Sequence, residues 1–276
     1  AHPTTPEPDE GPSVQPMACE MIFSVFTKRR PDAPAGFFEV EAAGLRWLQV
    51  PGGVPVVGVR SVSAGEVVLE RVRPAAATAH AAARFGAQLA VTHDAGAPAF
   101  GSPPDGWSGD GFIGDLPLSL RPQQRWGEFY AEQRVLPYAR QAHQLGNLSA
   151  SGLALIEALS ERLASGEFDD DSPPARIHGD LWAGNVLFSG ESATVIDPAA
   201  HGGHRIADLA MLALFGLPHL NEVFAAYADA STRLPSDWRP LIALHQLHPL
   251  LVHAVLFGGG YGEQAAAVAH RYSARA

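Results

Sequence analysis

A short polar segment between apolar flanks constrains this chain more than any other feature. The segment RIHGDLWAGNVLF, residues 176–188, contains Asp180 and Asn185, and Asp197 ends a second β-like run, TVID. The runs VLF and TVID are joined by a Gly-containing turn, so together they predict a hairpin. Such a hairpin returns Asp197 to the neighbourhood of Asp180 and Asn185.

These three side chains are the parts that phosphoryl transfer requires. Carboxylate and amide oxygens are suitable ligands for Mg²⁺, which neutralises phosphate charge. A further carboxylate can accept the proton of the attacking alcohol. Asp180 could instead be only a turn or capping residue, but the presence of Asn185 and Asp197 favours the catalytic interpretation.

Composition limits the possible partners. The chain has 276 residues and a formal net charge of −10, which argues against nucleic acid or an anionic membrane as a partner. Its single cysteine, Cys19, excludes an intramolecular disulfide and is typical of a reducing compartment. The apolar stretches are interrupted short of the roughly 20 residues of a membrane helix, and no signal peptide opens the chain. We therefore expect a cytoplasmic, monomeric protein that acts on small molecules.

Hydrophobic patterns divide the chain into three parts. Residues 1–19 are rich in Pro and acidic residues, and we expect them to be disordered or irregular. Residues 20–73 show a strand, a helix and two further strands, which predicts a small β-rich N-lobe. Residues 74–276 form a larger, mainly helical C-lobe around the central hairpin, with a long irregular connection at 96–122. The predicted fold class is α+β, with a ligand-binding crevice between the lobes.

The motifs resemble those of a known enzyme group. His178-Gly-Asp180 with Asn185, followed by Val195-Ile-Asp197, is similar to the catalytic loop and metal-binding Asp of the kinase-like phosphotransferases. The stretches HGDLWAGN, VIDPAAHGGHR, ADLAMLALFG and HPLLVHAVLFGGGYG together look like the fructosamine (ketosamine) kinase family. This resemblance implies a protein-kinase-like two-lobed fold with ATP and Mg²⁺ as cofactors. It also implies phosphorylation of the sugar 3-hydroxyl of ketosamines (fructosamines or ribulosamines), a deglycation repair activity.

The resemblance also assigns roles to individual residues. It implies that Asp180 is the general base and that Asn185 and Asp197 hold Mg²⁺. His178 and Asp208 would support the catalytic loop. On the nucleotide side, it implies a phosphate-binding lysine, its acidic partner on the next helix and an adenine-binding hinge: Lys28, Glu41, and then Glu70, Arg71 and Val72.

Lys28 is open to a second interpretation. It begins the charged run KRRPD, which taken alone is more typical of a solvated surface. The helical pattern FFEVEAAGL that follows favours the ATP-lysine interpretation because it supplies Glu41 on the next element. Glu39 is the neighbour with which Glu41 could be confused.

The acceptor side is less determined by the sequence. The resemblance suggests substrate contacts for Trp182, His201 and Arg205, although Trp182 is equally compatible with core packing. His245 and His248 are spaced i, i+3, but without a second such pair we favour structural or pocket-wall histidines over zinc ligands. The glycine-rich stretch FGGGYG is expected to be a helix-terminating turn.

The segment before Lys28 departs from the family pattern. The stretch EGPSVQPMACEMIFSVFTK is too short for the helix, strand, turn and strand expected there, so the phosphate-covering hairpin should be missing or rewritten and the N-lobe shortened. Smaller departures are Ser119-Leu120 and Ile206, where Asn and Glu are usual. Two alternatives therefore remain: a kinase for another small hydroxylated molecule, aminoglycoside- or choline-like, or a catalytically impaired binding protein on a kinase-like fold.

Overall fold

The N-lobe is a three-stranded sheet covered by one helix, in a computed structural model that describes residues 24–273. Its elements are β1 (Val25–Arg29), α1 (Phe37–Trp47), β2 (Val59–Ser63) and β3 (Glu66–Glu70). The strands are antiparallel in the order β1-β3-β2. Val67 and Leu69 alternate along β3 and are buried together with Phe38 and Leu45 of α1. The elements predicted for 20–73 are confirmed where the structure describes them, and residues 1–19 lie outside the described part.

Helices make up most of the C-lobe. They are α2 (Ala79–Asp94), α3 (Trp126–Phe129), α4 (Leu136–Gln144), α5 (Ala150–Ser165), α6 (Ile206–Phe215), α7 (Leu220–Ala230), α8 (Trp238–His245), α9 (Leu247–Phe257) and α10 (Tyr261–Ser273). A π-helical turn, Tyr130–Val135, joins α3 to α4. Thr78 and Ser149 cap the starts of α2 and α5 by accepting a hydrogen bond from the backbone N–H three residues on.

Three short antiparallel strand pairs complete the C-lobe. They are β4 (Gly111–Ile113) with β5 (Leu116–Leu118), β6 (Ala175–Ile177) with β9 (His201–Gly203), and β7 (Val186–Ser189) with β8 (Ser192–Val195). The β7–β8 pair confirms the predicted hairpin. The prediction of a wholly irregular connection over 96–122 is wrong, because the β4–β5 hairpin lies within it. Its strands are three residues long and include Pro117, so they carry no clear strand pattern.

The β7–β8 hairpin joins the two lobes. The Val195 N–H donates to the carbonyl of Pro55 at 2.9 Å, and its own carbonyl accepts from Val57 N–H at 3.1 Å. The next residue, Ile196, packs against the buried cluster of the N-lobe. Asp197 therefore lies at the border between the lobes.

One apolar stretch, Trp238–Phe257, meets the length and composition expected of a membrane helix, contrary to the sequence prediction. In the structure it is the pair α8 and α9, and half of it is buried inside the protein. Leu244, Leu247 and Leu251 belong to the core of the C-lobe, which accounts for its apolar character. The stretch ends at Phe257, where Gly258 has positive φ, so the predicted helix-terminating turn is confirmed.

Candidate active site

A lysine between two carboxylates occupies the border of the lobes. The Nζ of Lys28 on β1 lies 2.8 Å from Glu41 Oε1 on α1 and 2.8 Å from Asp197 Oδ1. Burial lowers the pKa of Lys28, but the two carboxylates outweigh burial and the net shift is upward, so the ammonium stays charged. Burial raises the pKa of Glu41, and Lys28 opposes that shift. The structure thus brings together the lysine and the helical glutamate that the family resemblance pairs.

The loop before β7 holds Asp180 and Asn185 in one hydrogen-bonded arrangement. The Asn185 Nδ2 donates to the carbonyl of Asp180 at 2.8 Å, to its Oδ2 at 3.1 Å, and to the carbonyl of Asp197 at 3.4 Å. The two carbonyls can only accept, so they fix the amide orientation and leave Asn185 Oδ1 without a partner among the described residues. Asp197 has a φ of 54°, a left-handed conformation; its carbonyl meets Asn185 of this loop while its carboxylate pairs with Lys28.

The Asp180 carboxyl has an unusual acidity. Burial raises the pKa of Asp180 to about 7, with Asp197 and Asp208 adding to the rise and the hydrogen bond from Asn185 opposing it. A carboxylate with a pKa near neutrality is well matched to accept a proton at physiological pH.

Asp208 on α6 holds the backbone of this loop through two hydrogen bonds. Its Oδ2 accepts from His178 N–H at 2.8 Å and its Oδ1 from Gly179 N–H at 2.9 Å. The His178 ring in turn donates from Nε2 to the carbonyl of Ile196 at 2.9 Å. The backbone leading to Asp180 is therefore held from both sides, and neither His178 nor Asp208 lines the two cavities described below.

Sequence reasoning missed a third partner of Asp208. His93, the penultimate residue of α2, lies with Nε2 3.1 Å from Asp208 Oδ2 and Nδ1 2.7 Å from the hydroxyl of Tyr227. All three side chains are buried. Burial alone would raise the pKa of Asp208, but the hydrogen bonds from His93 and the loop backbone outweigh burial and lower it. A histidine near the end of an alanine-rich helix gives no signal of this role.

Two cavities meet at Asp180. The first, which we call the lysine cavity, has a volume of about 450 Å³ and is lined by Lys28, Glu41, Asn185 and Asp197 among others. The second, the aromatic cavity, has a volume of about 200 Å³. Its wall includes Trp126, Phe129, Tyr130, His201, His204, His245, His248 and His253. Asp180 and Trp182 line both cavities.

Of the three predicted acceptor contacts, two lie on the aromatic cavity and one does not. Trp182 is 43% exposed, too open for a core residue, and His201 forms part of the wall. Arg205 lines neither cavity. Its guanidinium is buried and donates from Nη1 to Asp94 Oδ1 at 2.6 Å and to Ser231 Oγ at 3.1 Å. The structure therefore corrects the placement of Arg205, which ties α6 to α2 instead.

Two of the three predicted hinge residues already use their N–H groups within the N-lobe. The N–H of Glu70 donates to Gly58 and that of Arg71 to Ser24. The carboxylate of Glu70 pairs with Arg60 at 2.8 Å. Among the described residues the Val72 N–H has no protein partner, so of the three predicted hinge donors it is the one available to a ligand.

Comparisons with known proteins agree with this geometry. The sequence profile of the fructosamine kinase family matches residues 10–275. A protein of Thermus thermophilus assigned as a ketoamine kinase is 33% identical over 236 residues, which cover 85% of this chain and 82% of that protein. A crystal structure from Thermobifida fusca, assigned as a fructosamine-3-kinase, is 50% identical with a TM-score of 0.82, covering 90% of this chain and 85% of that one.

A more distant structure shows the wider fold. An aminoglycoside phosphotransferase aligns with a TM-score of 0.50 at 16% identity, over 87% of this chain and 84% of that one. The predicted kinase-like fold, with a small sheet-containing lobe and a larger helical one, is confirmed. The chain is a small-molecule kinase by descent, and it belongs to the fructosamine kinase family.

Proposed function

We propose that this chain transfers the γ-phosphoryl group of ATP to the 3-hydroxyl of the sugar in ketosamines, fructosamines or ribulosamines, as a deglycation repair enzyme. The observation that carries the proposal is the position of Asp180, which borders both cavities. A base at this junction can serve an acceptor in the aromatic cavity and a nucleotide in the lysine cavity. The names of the family and of the relatives support a ketosamine as the acceptor.

The lysine cavity fits a magnesium nucleotide. Within residues 24–273 nothing donates to Asn185 Oδ1, and Asp197 has one carboxylate oxygen beyond the one that pairs with Lys28. Mg²⁺ prefers such oxygen ligands and binds through one or two protein groups together with substrate phosphates. Asn185 and Asp197 would hold the ion, which supplies charge neutralisation on the phosphates when bound. Lys28, kept charged by Glu41, would bind phosphate oxygens. The Val72 N–H would donate a hydrogen bond to adenine.

In this reaction the residues of the chain accept a proton and hold the reacting groups in position. Asp180 accepts the proton of the sugar hydroxyl as the hydroxyl oxygen attacks the γ-phosphorus. Asp208 and His178 keep the loop in position, because their hydrogen bonds fix the backbone on either side of Gly179. Trp182 and His201 contact the acceptor from the cavity wall. A cytoplasmic location and a monomeric state remain predictions.

The test is phosphate transfer from MgATP to ribulose-lysine, followed by mass spectrometry, with Asp180→Asn as the matched variant. We expect a product in the wild type and its loss in the variant, with MgATP binding kept in both. Binding of MgATP without transfer to any ketosamine would refute the ketosamine assignment, and an alcohol panel would then identify another acceptor. Absence of MgATP binding in the wild type would favour a catalytically impaired binding protein.

A further inference from the structure

Three histidines of the aromatic cavity lie with Nδ1 against a backbone carbonyl. His253 bonds to Pro249 in its own helix at 2.8 Å, and His201 and His248 are the two on which the charge of Arg134 also acts. The Nδ1 of His201 lies 2.8 Å from the carbonyl of Ala199, and the Nδ1 of His248 lies 3.0 Å from the carbonyl of Arg134. A carbonyl only accepts, so Nδ1 carries the proton in both rings. In a neutral imidazole the other nitrogen, Nε2, is then an acceptor.

Both rings are held neutral. Burial is the largest cause and lowers the pKa of His248 to about 3 and that of His201 well below its usual value. The guanidinium of Arg134 lowers both further. Burial lowers the pKa of Arg134 itself to about 10, so it stays charged at neutral pH. Its Nη1 donates to the carbonyls of Ser119 and Gln133, and no ion pair with an acid forms among residues 24–273.

The two Nε2 atoms have no hydrogen-bond partner in the described part of the chain, and both residues line the aromatic cavity. An unpaired acceptor in a mostly apolar cavity favours a ligand that brings its own donor, because a buried polar atom without a partner is costly. A sugar hydroxyl is such a donor, whereas an ether or a keto oxygen is not.

We propose that His201 and His248 are a pair of hydroxyl-selective acceptors that orient the sugar of the acceptor substrate. The inference rests on the proposed function for the identity of the sugar. It adds a specificity rule, which is that the cavity selects acceptors with hydroxyl donors at two positions besides the reacting one. Each hydrogen bond should be worth about a tenfold change in kcat/KM, the effect of a typical neutral bond left unmade.

The first experiment measures the tautomers directly by heteronuclear NMR of histidine side chains at pH 7, without ATP. We expect both rings to be neutral with the proton on Nδ1, and both Nε2 signals to shift when fructose-lysine is added at millimolar concentration. His143 is a matched control, because its Nδ1 lies 2.8 Å from the carbonyl of Leu148 but it lines neither cavity. A proton on Nε2, or unshifted Nε2 signals, would overturn the proposal.

The second experiment tests whether each histidine ring binds a particular hydroxyl of the substrate. We expect His201→Phe and His248→Phe each to lower kcat/KM for the ketosamine about tenfold with the KM for ATP unchanged, and Gln at either position to restore part of the loss. For each ring, one monodeoxy ketosamine lacks the hydroxyl that the ring would bind. With that analogue, the loss from the ring substitution and the loss from the missing hydroxyl should not add. Additive losses for every analogue would show that the rings are only structural. If the wild type phosphorylates no ketosamine, the proposed function fails while the NMR result still decides this inference.

Discussion

Replacing Asp208 by Asn should reveal how strongly the fold depends on one buried carboxylate. Asp208 is 1% exposed and accepts three hydrogen bonds, from His178 N–H, Gly179 N–H and His93 Nε2. Asn has the same shape but only one accepting oxygen. In D208N, at least one of the three donors must face an amide NH₂ group and lose its partner.

The magnitude follows from these contacts. A hydrogen bond to a charged group contributes about 1.5–3 kcal/mol, and a neutral one about 0.5–1.5 kcal/mol. One bond is lost completely, and the other two change from charged to neutral, which costs about 1 kcal/mol each. The expected loss in the free energy of unfolding is therefore about 3.5–5 kcal/mol, with a fall in kcat because the loop that carries Asp180 is no longer fixed.

Urea unfolding of wild type and D208N measures this loss, with Asp229→Asn, an exposed aspartate on α7, as the control. We expect a change within about 0.5 kcal/mol for the control. A loss below about 1 kcal/mol for D208N would refute the reasoning, since it would mean that the three bonds contribute no more than one neutral bond.

The stability difference between wild type and D208N should also depend on pH. The folded pKa of Asp208 is lowered, so its carboxylate stabilises the protein above the unfolded value of about 3.9. That stability is lost as pH falls through the lower folded value. The difference between wild type and D208N should therefore be constant near neutrality and shrink below about pH 4.

Three further predictions concern other parts of the molecule. In the kinase assay, kcat/KM should rise with pH through about 7 and then level off, because Asp180 must lose its proton to act as a base; a flat profile between pH 5 and 9 would contradict this role. Lys28→Met should raise the KM for ATP about 10–100-fold without unfolding the protein, as measured by initial rates and a thermal melt. Gly202→Ala should destabilise the protein by about 1–3 kcal/mol in urea, because a Cβ there would collide with the carbonyl of Ala99, whereas Gly65→Ala, with no neighbour closer than 3.5 Å, should be nearly neutral.

The centre of the site could be predicted because its chemistry imposes a local spacing. Asp180 and Asn185 lie on one loop, and Asp197 returns on a hairpin whose apolar runs and turn are visible in the sequence. The pairing of Lys28 with Glu41 was different. A strand lysine and a helical glutamate carry no joint pattern, so only the family resemblance paired them, and the structure confirms the contact. Their roles with nucleotide remain predictions.

What could not be predicted depends on contacts between distant elements. His93 and Asp208 are 115 residues apart, and nothing local to either residue records the hydrogen bond between them. The short strands β6 and β9 pair across the whole catalytic loop, with too few residues for an alternating pattern. Arg205 follows the HGGH stretch near the aromatic cavity, but at the start of α6 its side chain points to Asp94 on α2, and only packing decides that direction.

The π-helical turn at Tyr130–Val135 decides which part of the fold a one-residue deletion would disturb. A π-turn is an α-helix with one extra residue, so α3 before it and α4 after it are out of phase by about 100° relative to an uninterrupted helix. The aromatic cavity takes Trp126, Tyr130 and Arg134 from α3 and the turn, and none of its described wall residues comes from α4. Deleting a single residue in the turn would therefore rotate α4 relative to this wall, together with the buried Tyr138, whose hydroxyl donates to the carbonyl of Pro117. We expect such a deletion to cost stability through α4 while the wall residues before it keep their positions.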